Sequence, residues 1–374
     1  MSNNSKWGLI VGLLFIGLFV FYFILANTNN LALDLILEFI IILIIYKVVK
    51  VFFEILNPHK KMKFKKIRKR EITKEFKDAY KYVKKEYGIE LEKERKKFLV
   101  SLIIAWTIFI LLGIIAFVLI IQTENEIPEE VITLLFLPAF VYYYAKTCSY
   151  NKVYVKTYKN TIIRNFVKTI NPDLYYEQDG MLGVMNTYLE AGFDDKDFKT
   201  FYADDHINGY TDNFTKIDLN NVTLGKANDE NEFFEIIYEG IFSTTYLNYN
   251  LEESLKIKKN KRTIKRIKNK VLMDSREFEK YFDVYCDNNI LAMKLLTHDI
   301  MEELVIFNKK FGVDLEIVIA NNKIYTRFDT GMMFEPDIIR KAYNMKTLWL
   351  YYNILIFVTN VTIKLNKVLK DIEI

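Results

Sequence analysis

The sequence has few of the residues that build disulfide or metal sites. It contains only two cysteines, Cys148 and Cys286, and its three histidines, His59, His206 and His298, lie far apart. Two isolated thiols on the side that we assign to the cytoplasm predict no disulfide framework. No Cys-x-x-Cys or His-Glu-x-x-His pattern occurs, which argues against a zinc site. We therefore expect no cofactor.

Common catalytic motifs are also absent. The chain has no P-loop, no Gly-x-Gly-x-x-Gly fingerprint and no Gly-x-Ser-x-Gly nucleophile turn. Its 52 Lys and Arg residues against 47 Asp and Glu give a net charge of only +5, too small for nucleic-acid binding without a local concentration of charge. These absences favour a non-enzymatic protein and argue against nucleic acid as a partner.

Long apolar stretches are what the chain does have, and four of them crowd the first 150 residues. They cover residues 7–26, 31–50, 98–121 and 131–145. A hydrocarbon core about 30 Å thick requires about 20 apolar helical residues, so these stretches predict about four transmembrane helices. A cleaved signal peptide is the alternative for the first stretch, but its apolar core would be unusually long and no small-residue cleavage site follows.

A strongly basic segment separates the second stretch from the third. Its members are Lys60, Lys61, Lys63, Lys65, Lys66, Arg68, Lys69 and Arg70. Short basic loops stay in the cytoplasm, so we predict a multi-pass cell-membrane protein with both termini and the C-terminal domain cytoplasmic. The same eight residues are candidates for contact with anionic headgroups of the lipid bilayer, although setting the topology would also explain them.

The chain is predicted to have four regions, which are residues 1–56, 57–97, 98–146 and 147–374. The first and third are transmembrane hairpins, and the second combines the basic linker with an amphipathic helix. The fourth is a cytoplasmic domain of mixed helices and strands, and it is large enough for its own core.

Within the last region, residues 150–170 predict a helix that ends at Asn171 and Pro172. Residues 233–247 predict a strand. Two β-rich runs flank Asn321 and Asn322, which are compatible with the positive φ of a turn, and they predict an antiparallel hairpin. A long C-terminal helix that begins near residue 337 is expected to cover the sheet, with docking at the membrane surface as the alternative. The predicted fold class is α+β.

The densest polar cluster of this domain is Asp204, Asp205 and His206. Two carboxylates beside an imidazole could bind a divalent cation or perform acid–base chemistry. Adjacent residues on a strand point to opposite faces, however, so a metal site would need another carboxylate. The candidates for that ligand are Asp179, Asp194 and Asp274.

Several sequence blocks resemble a family of bacterial membrane-anchored proteins, the domain of unknown function 3137. The blocks are residues 202–210 (YADDHINGY), 238–242 (YEGIF), 272–284 (LMDSREFEKYFDV), 295–304 (LLTHDIMEEL) and 333–336 (MFEP). The likeness begins near Phe76 and continues to about Phe334. It implies a membrane-tethered cytoplasmic α+β domain, with the third and fourth apolar stretches as the family's membrane hairpin. It implies no catalytic residue.

Three functions follow as hypotheses. The first is a non-enzymatic module that binds an unidentified protein or a lipid. The second is a membrane-tethered, metal-dependent hydrolase that uses Asp204, Asp205 and His206. The third is transport through the spans, which depends on Asp34 and Glu38 in the second apolar stretch.

Overall fold

The structure is a computed structural model that describes most of the chain after residue 70. The described residues are Lys65 and residues 71–122, 141–194, 197–211, 215–227, 234–260, 269–336, 338 and 344–372. The first two predicted spans, most of the fourth, and seven of the eight basic residues (60, 61, 63, 66, 68, 69 and 70) lie outside them. Asp34 and Glu38 lie outside them as well.

The longest element is helix α1, Lys74–Gln122. It begins after Thr73, whose hydroxyl oxygen accepts a hydrogen bond from the Phe76 N–H at 3.4 Å and so satisfies one free donor of the first turn. The predicted amphipathic helix and the predicted third span therefore form one continuous helix. Its first half is rich in charge and its second half is apolar.

A second helical stretch follows the predicted fourth span. It consists of the π-helix π1 (Tyr143–Thr147), α2 (Cys148–Thr157), a second π-helix π2 (Tyr158–Ile163) and α3 (Arg164–Ile170). It ends at Asn171, which has extended backbone angles, as the Asn-Pro pair predicted. The predicted helix is confirmed, although the sequence did not indicate its π-helical turns.

Of the remaining helices, the last has 28 residues and each of the others has 14 or fewer. They are α4 (Val184–Glu190), α5 (Arg276–Glu279), α6 (Asn289–Leu295), α7 (His298–Phe311) and α8 (Met345–Ile372). Thr297 is the N-cap residue of α7, but its side chain makes no capping hydrogen bond. Gly312 ends α7 in the left-handed conformation that glycine adopts most easily.

Within the described residues, seven strands form one antiparallel sheet. They are β1 (Leu174–Asp179), β2 (Thr200–Tyr210), β3 (Lys216–Ala227), β4 (Phe234–Lys259), β5 (Lys270–Val271), β6 (Phe282–Cys286) and β7 (Asp314–Asp329). The order is β1-β2-β3-β4-β6-β5, and β7 pairs with β4 outside this path. The first half of β4 pairs with β3, and the end of β4 pairs with β6 along the same edge. Strand β7 pairs with the opposite edge of β4.

The hairpin predicted around Asn321 and Asn322 is wrong. Both β-rich runs belong to β7, which pairs with β4 from Ile317 opposite Ile257 to Phe328 opposite Ile241. Asn321 does have a positive φ of 54°, but it lies where the pairing register shifts, not at a chain reversal. A positive φ also occurs at irregularities of strand pairing, so this signal was ambiguous. The antiparallel hairpins of the sheet are β2–β3 and β3–β4.

Helix α8 packs on this sheet. The hydroxyl oxygens of Thr362 on α8 and Thr245 on β4 lie 2.6 Å apart and are buried. The ring of Phe357 lies 4.4 Å from that of Phe307 on α7 and 5.8 Å from that of Phe328 on β7, centroid to centroid. The expected C-terminal helix over the sheet is confirmed. It begins at Met345, several residues later than predicted.

Two helices among the described residues are long and apolar enough to cross a membrane, Lys74–Ala116 and Met345–Ile372. They differ in burial, because most of the apolar window of Met345–Ile372 is covered within the fold. The described residues also divide into two compact units. One contains residues 88–122, 141–158, 336 and 338, and the other contains 65, 71–87, the described residues of 159–335, and 344–372.

Phe357→Ala should lower the free energy of unfolding by about 3–5 kcal/mol, the usual loss when a buried phenylalanine is truncated. Ile356→Ala is the matched control, because the neighbouring Ile356 is only half-buried. Chemical denaturation of the full chain in detergent micelles would measure both. Equal losses, or a larger loss for Ile356→Ala, would contradict the packing of α8 on the sheet.

Candidate functional site

The candidate site is centred on the side chain of Lys159, which is only 2% exposed. It lies in π2, and π-helical turns inside α-helices are rare and occur frequently at functional sites. Its Nζ lies 2.7 Å from Asp205 Oδ2, 2.8 Å from Glu335 Oε1 and 3.4 Å from Asp204 Oδ2. A lysine is almost never fully buried unless it is paired, and here three carboxylates surround it.

An irregularity in β2 brings Asp204 and Asp205 to the same lysine. The pairing of β2 with β3 shifts between Asp204 and Ile207, and Asp205 has a φ of 55°. Strict alternation would send the two side chains to opposite faces, as we expected from the sequence, but a bulge suspends alternation. That expectation was wrong for this pair because the positive φ of Asp205 redirects its side chain.

The third carboxylate is Glu335, which follows β7 and lies in the MFEP block. The preceding residue, Phe334, has a φ of 61° and donates its N–H to the Tyr351 hydroxyl on α8 at 2.7 Å. The ring centroids of Phe334 and Tyr351 are 4.4 Å apart. This anchoring of Phe334 fixes the backbone from which Glu335 reaches Lys159.

Glu335 replaces the ligands that the sequence had suggested. Within the described residues, one group of three carboxylates has oxygen atoms within 4.8 Å of one another, and it consists of Asp204, Asp205 and Glu335. Asp179, Asp194 and Asp274 do not belong to it. Asp194 instead forms an ion pair with Lys258.

Two neutral side chains complete the network. The Tyr176 hydroxyl donates a short hydrogen bond to Asp205 Oδ1, and Asn221 Nδ2 donates to Asp204 Oδ1 at 3.0 Å. Burial, followed by the negative charge of Asp205, raises the pKa of Tyr176 well above its usual range, so its phenol keeps its proton. Asp205 therefore accepts hydrogen bonds from both Tyr176 and Lys159.

Burial and mutual repulsion oppose ionisation of the carboxylates. Burial and then the negative charge of Asp204 raise the pKa of Asp205 well above its ordinary value, although Lys159 acts in the opposite direction. Burial likewise raises the pKa of Glu335 against the attraction of Lys159. For Lys159, burial favours the neutral form, but attraction by Glu335, Asp205 and Asp204 outweighs it and raises the pKa. The site thus keeps its ammonium charge and has carboxyl groups that bind protons more readily than usual.

His206 is directed to other partners. Its Nε2 lies 3.3 Å from Asp218 Oδ1 and its Nδ1 lies 3.2 Å from Asn208 Nδ2. Asp218 also pairs with Lys216 at 3.3 Å. Burial would raise the pKa of Asp218, but the hydrogen bond with His206 and the positive charge of Lys216 together lower it. Of the three predicted site residues, the structure joins Asp204 and Asp205 around Lys159 and leaves His206 in a separate pair.

Lys65 is the one described member of the basic segment. Its backbone N–H donates to the carbonyl of Phe311 at 2.6 Å, and its Nζ donates to the carbonyl of Lys309 at 3.2 Å. Both acceptors lie in the last turn of α7, where a cation also offsets the helix dipole. These two hydrogen bonds attach Lys65 to the C-terminal end of α7.

The sequence had not indicated Lys159, Tyr176, Asn221 or Glu335 as site residues. A signal existed for Lys159, which follows Tyr158 and precedes Ile162 and Ile163 within the buried stripe of its helix. A charged residue at an otherwise apolar position indicates a buried partner. The identity of that partner required the fold.

The fold is an antiparallel sheet covered by a C-terminal helix, preceded in the chain by a long helix with an apolar second half, and its most distinctive site is a buried lysine–carboxylate network. The family described as "Protein of unknown function (DUF3137)" matches residues 236–367, from β4 into α8. This match confirms the resemblance, and four of the five sequence blocks lie inside it. The 202–210 block precedes the matched segment, which extends beyond Phe334.

No curated protein matches the sequence. Among solved structures, the crystal structure of the mycobacterial trehalose monomycolate transport factor A, TtfA, shows a distant similarity. It is 8% identical, and the alignment covers 52% of this chain and 86% of that one, with a TM-score of 0.32. Similarity at this level does not define a common fold.

Lys159→Met should lower the free energy of unfolding by about 3–5 kcal/mol at neutral pH, because it leaves buried carboxylates without their counter-charge. Lys156→Met, at an exposed position on α2, is the matched control. Chemical denaturation of the full chain between mildly acidic and neutral pH would measure the difference.

The loss of unfolding free energy in Lys159→Met should depend on pH in a defined direction. Asp205 and Glu335 have raised pKa values in the folded protein, so their stabilising contribution is present below the ordinary carboxyl pKa of about 4 and is lost as pH rises through the raised values. Without Lys159 these pKa values rise further. The deficit of Lys159→Met should therefore be smallest in acid and grow toward neutral pH, and a deficit independent of pH would contradict the charge network.

Proposed function

We propose that this chain is a membrane-anchored, non-enzymatic module that binds a protein or a lipid. Helix α1 is the observation that carries the proposal. Near its start Phe76 lies in an aromatic core, with ring centroids 5.5 Å from Phe166, 4.9 Å from Trp349 and 5.4 Å from Tyr352. Farther along, the same helix exposes apolar side chains.

The exposed apolar residues of α1 favour hydrocarbon as their solvent. Between 42% and 60% of each side chain is accessible, and the residues are Val100, Ile103, Ile104, Ile110, Leu111, Ile114 and Ile115. A patch of this extent on a soluble protein would mark an interaction surface. Because the stretch is also long enough to cross a bilayer and carries no charge after Lys97, a membrane span is the interpretation that we adopt.

The full topology belongs to the same proposal. Four spans would place the basic segment, both termini and residues 147–374 in the cytoplasm. The acidic loop between the last two spans, which carries Glu124, Glu126, Glu129 and Glu130, would then lie outside. Burial of α8 against the sheet supports this arrangement, because a helix that packs on the cytoplasmic domain does not add a fifth crossing.

The lysine–carboxylate network supports a non-enzymatic function. The Lys159 ammonium lies where a cation bridging the three carboxylates would have to bind, so the network balances its own charge. An ammonium group and carboxylates that pair with one another in this way are typical of a structural ion-pair network.

Replacing Leu111 and Ile115 together by lysine should prevent insertion of this span, because each lysine near the middle of a membrane helix costs about 2.5–3.5 kcal/mol. The measurement is labelling of Glu126→Cys, in the acidic loop, by a membrane-impermeant maleimide applied to intact cells. The parent should be labelled and the double variant should not. Tyr82→Lys with Ile89→Lys, at exposed positions of the polar half of α1, is the matched control and should keep the label. Failure of the parent to label would refute the proposed topology.

A metal-dependent hydrolase is the second candidate. One observation favours it, which is the approach of the carboxyl oxygens of Asp204, Asp205 and Glu335 to within 4.8 Å of one another. Carboxylate oxygens at this spacing suit Mg²⁺ or Mn²⁺. This candidate needs Lys159 to withdraw from between the carboxylates.

Cation binding separates the two candidates. Mg²⁺ or Mn²⁺ should leave the thermal unfolding midpoint of the native full chain unchanged, because the ammonium occupies the space between the carboxylates. Lys159→Ala should gain a cation-dependent increase in the midpoint, and adding Asp205→Asn should remove it. An increase already present in the native chain and abolished by Asp205→Asn would favour the hydrolase.

A further inference from the structure

A groove lies beside α1 where its polar half meets its apolar half. Its volume is about 820 Å³. The α1 side chains that line it occupy one face of the helix, since they follow one another at intervals of three or four residues from Ile89 through Lys93, Lys97 and Ser101 to Ile104. Tyr142, which directly precedes the second helical stretch, and Tyr150, which lies within it, line the groove as well.

The groove changes chemistry along the helix axis. Lys93, Lys96 and Lys97 line its polar end together with Glu92 and Ile89, so the three cations outnumber the single carboxylate there. Val100 and Ile104 line its apolar end, closer to the middle of the apolar segment. Both apolar residues are exposed, by 53% and 42%. A cavity that is cationic at one end and apolar at the other matches a molecule with an anionic head and a hydrocarbon tail.

The charge at the polar end is positive. Lys97 forms an ion pair with Glu94 at 2.6 Å, and Glu92 accepts from Arg95 at 2.8 Å. Among the described residues, no carboxylate lies within ion-pair distance of Lys93 or Lys96, and both side chains are exposed. Two ammonium groups thus remain available for an anion.

We propose that this groove binds an anionic phospholipid, with its phosphate at Lys93 and Lys96 and an acyl chain along Val100 and Ile104. The inference rests on the proposed membrane span, which would place the change from lysine to apolar residues at headgroup level. Tyrosine is enriched at that level, because its ring is apolar and its hydroxyl is polar, and Tyr142 and Tyr150 fit this position. The site is separate from the basic segment at residues 60–70.

Lipid binding to the purified full chain in a non-ionic detergent tests the proposal. Native mass spectrometry would follow titrations with phosphatidylglycerol, phosphatidylcholine and inorganic phosphate. The native chain should bind phosphatidylglycerol in preference to phosphatidylcholine, and inorganic phosphate should not compete. Lys93→Gln with Lys96→Gln should weaken phosphatidylglycerol binding about 30-fold, since two lysines near an anionic headgroup contribute about 1 kcal/mol each and about 1.4 kcal/mol is a factor of ten. Lys74→Gln with Lys85→Gln removes the same charge from exposed positions of α1 outside the groove and should leave binding unchanged.

A second pair of variants tests the groove itself. Val100→Trp should fill its apolar end and weaken phosphatidylglycerol binding, whereas Ile103→Trp, at an equally exposed position that does not line the groove, should not. Equal binding by each variant and its control would overturn the proposal, as would a native chain without preference for phosphatidylglycerol or one from which inorganic phosphate displaces the lipid. Labelling of Glu126→Cys tests the membrane span independently of lipid binding. If the native chain showed no preference for phosphatidylglycerol while Glu126→Cys was still labelled, the lipid site would be refuted and the proposed span would not.

Discussion

The burial of one ammonium group among three carboxylates is the constraint on which the larger folded unit depends. Removing a charge from water costs several kcal/mol, and only close partners with good geometry offset that cost. Lys159 has such partners on two segments that are far apart in the sequence, β2 and the stretch after β7. The helical stretch that carries Lys159, strand β2 and the stretch that holds Glu335 must therefore reach their final positions together.

Two local irregularities make this contact possible. The π-helical turn at Tyr158–Ile163 holds the lysine, and the irregularity in β2 lets Asp204 and Asp205 reach it together. Both features depart from ideal geometry, and the ion pairs that they allow help to offset the cost of that departure. In chemical terms, an internal ammonium takes the place that a divalent cation would need. The same three carboxylates without that lysine would suggest a metal site, so a single residue decides between two interpretations of the cluster.

Helix α1 differs in polarity between its two halves, so the two halves favour different solvents. Up to Lys97 its charged side chains require water, and after Phe98 the helix carries no charge and most of its exposed side chains are apolar. In the proposed membrane-anchored arrangement this boundary coincides with the bilayer surface. The groove at residues 89–104 lies at that boundary, so its lysines and apolar residues would face headgroup and hydrocarbon respectively. The anchor of the module could then also be its binding surface.

What the sequence determined by itself was local. Periodicity and end signals were enough to predict the helix at residues 150–170, the strand at 233–247, the terminal helix and the α+β class, because these depend on neighbouring residues. The tertiary structure decided the rest. The positive φ of Asn321 belongs to an irregularity of the β4–β7 pairing and not to a turn, since β7 continues past it along β4. Asp205 and His206, adjacent in the chain, have different partners, while Lys159 and Glu335 pair although they are far apart in the sequence. Which buried charges pair depends on long-range packing, and no periodicity in a single sequence carries that information.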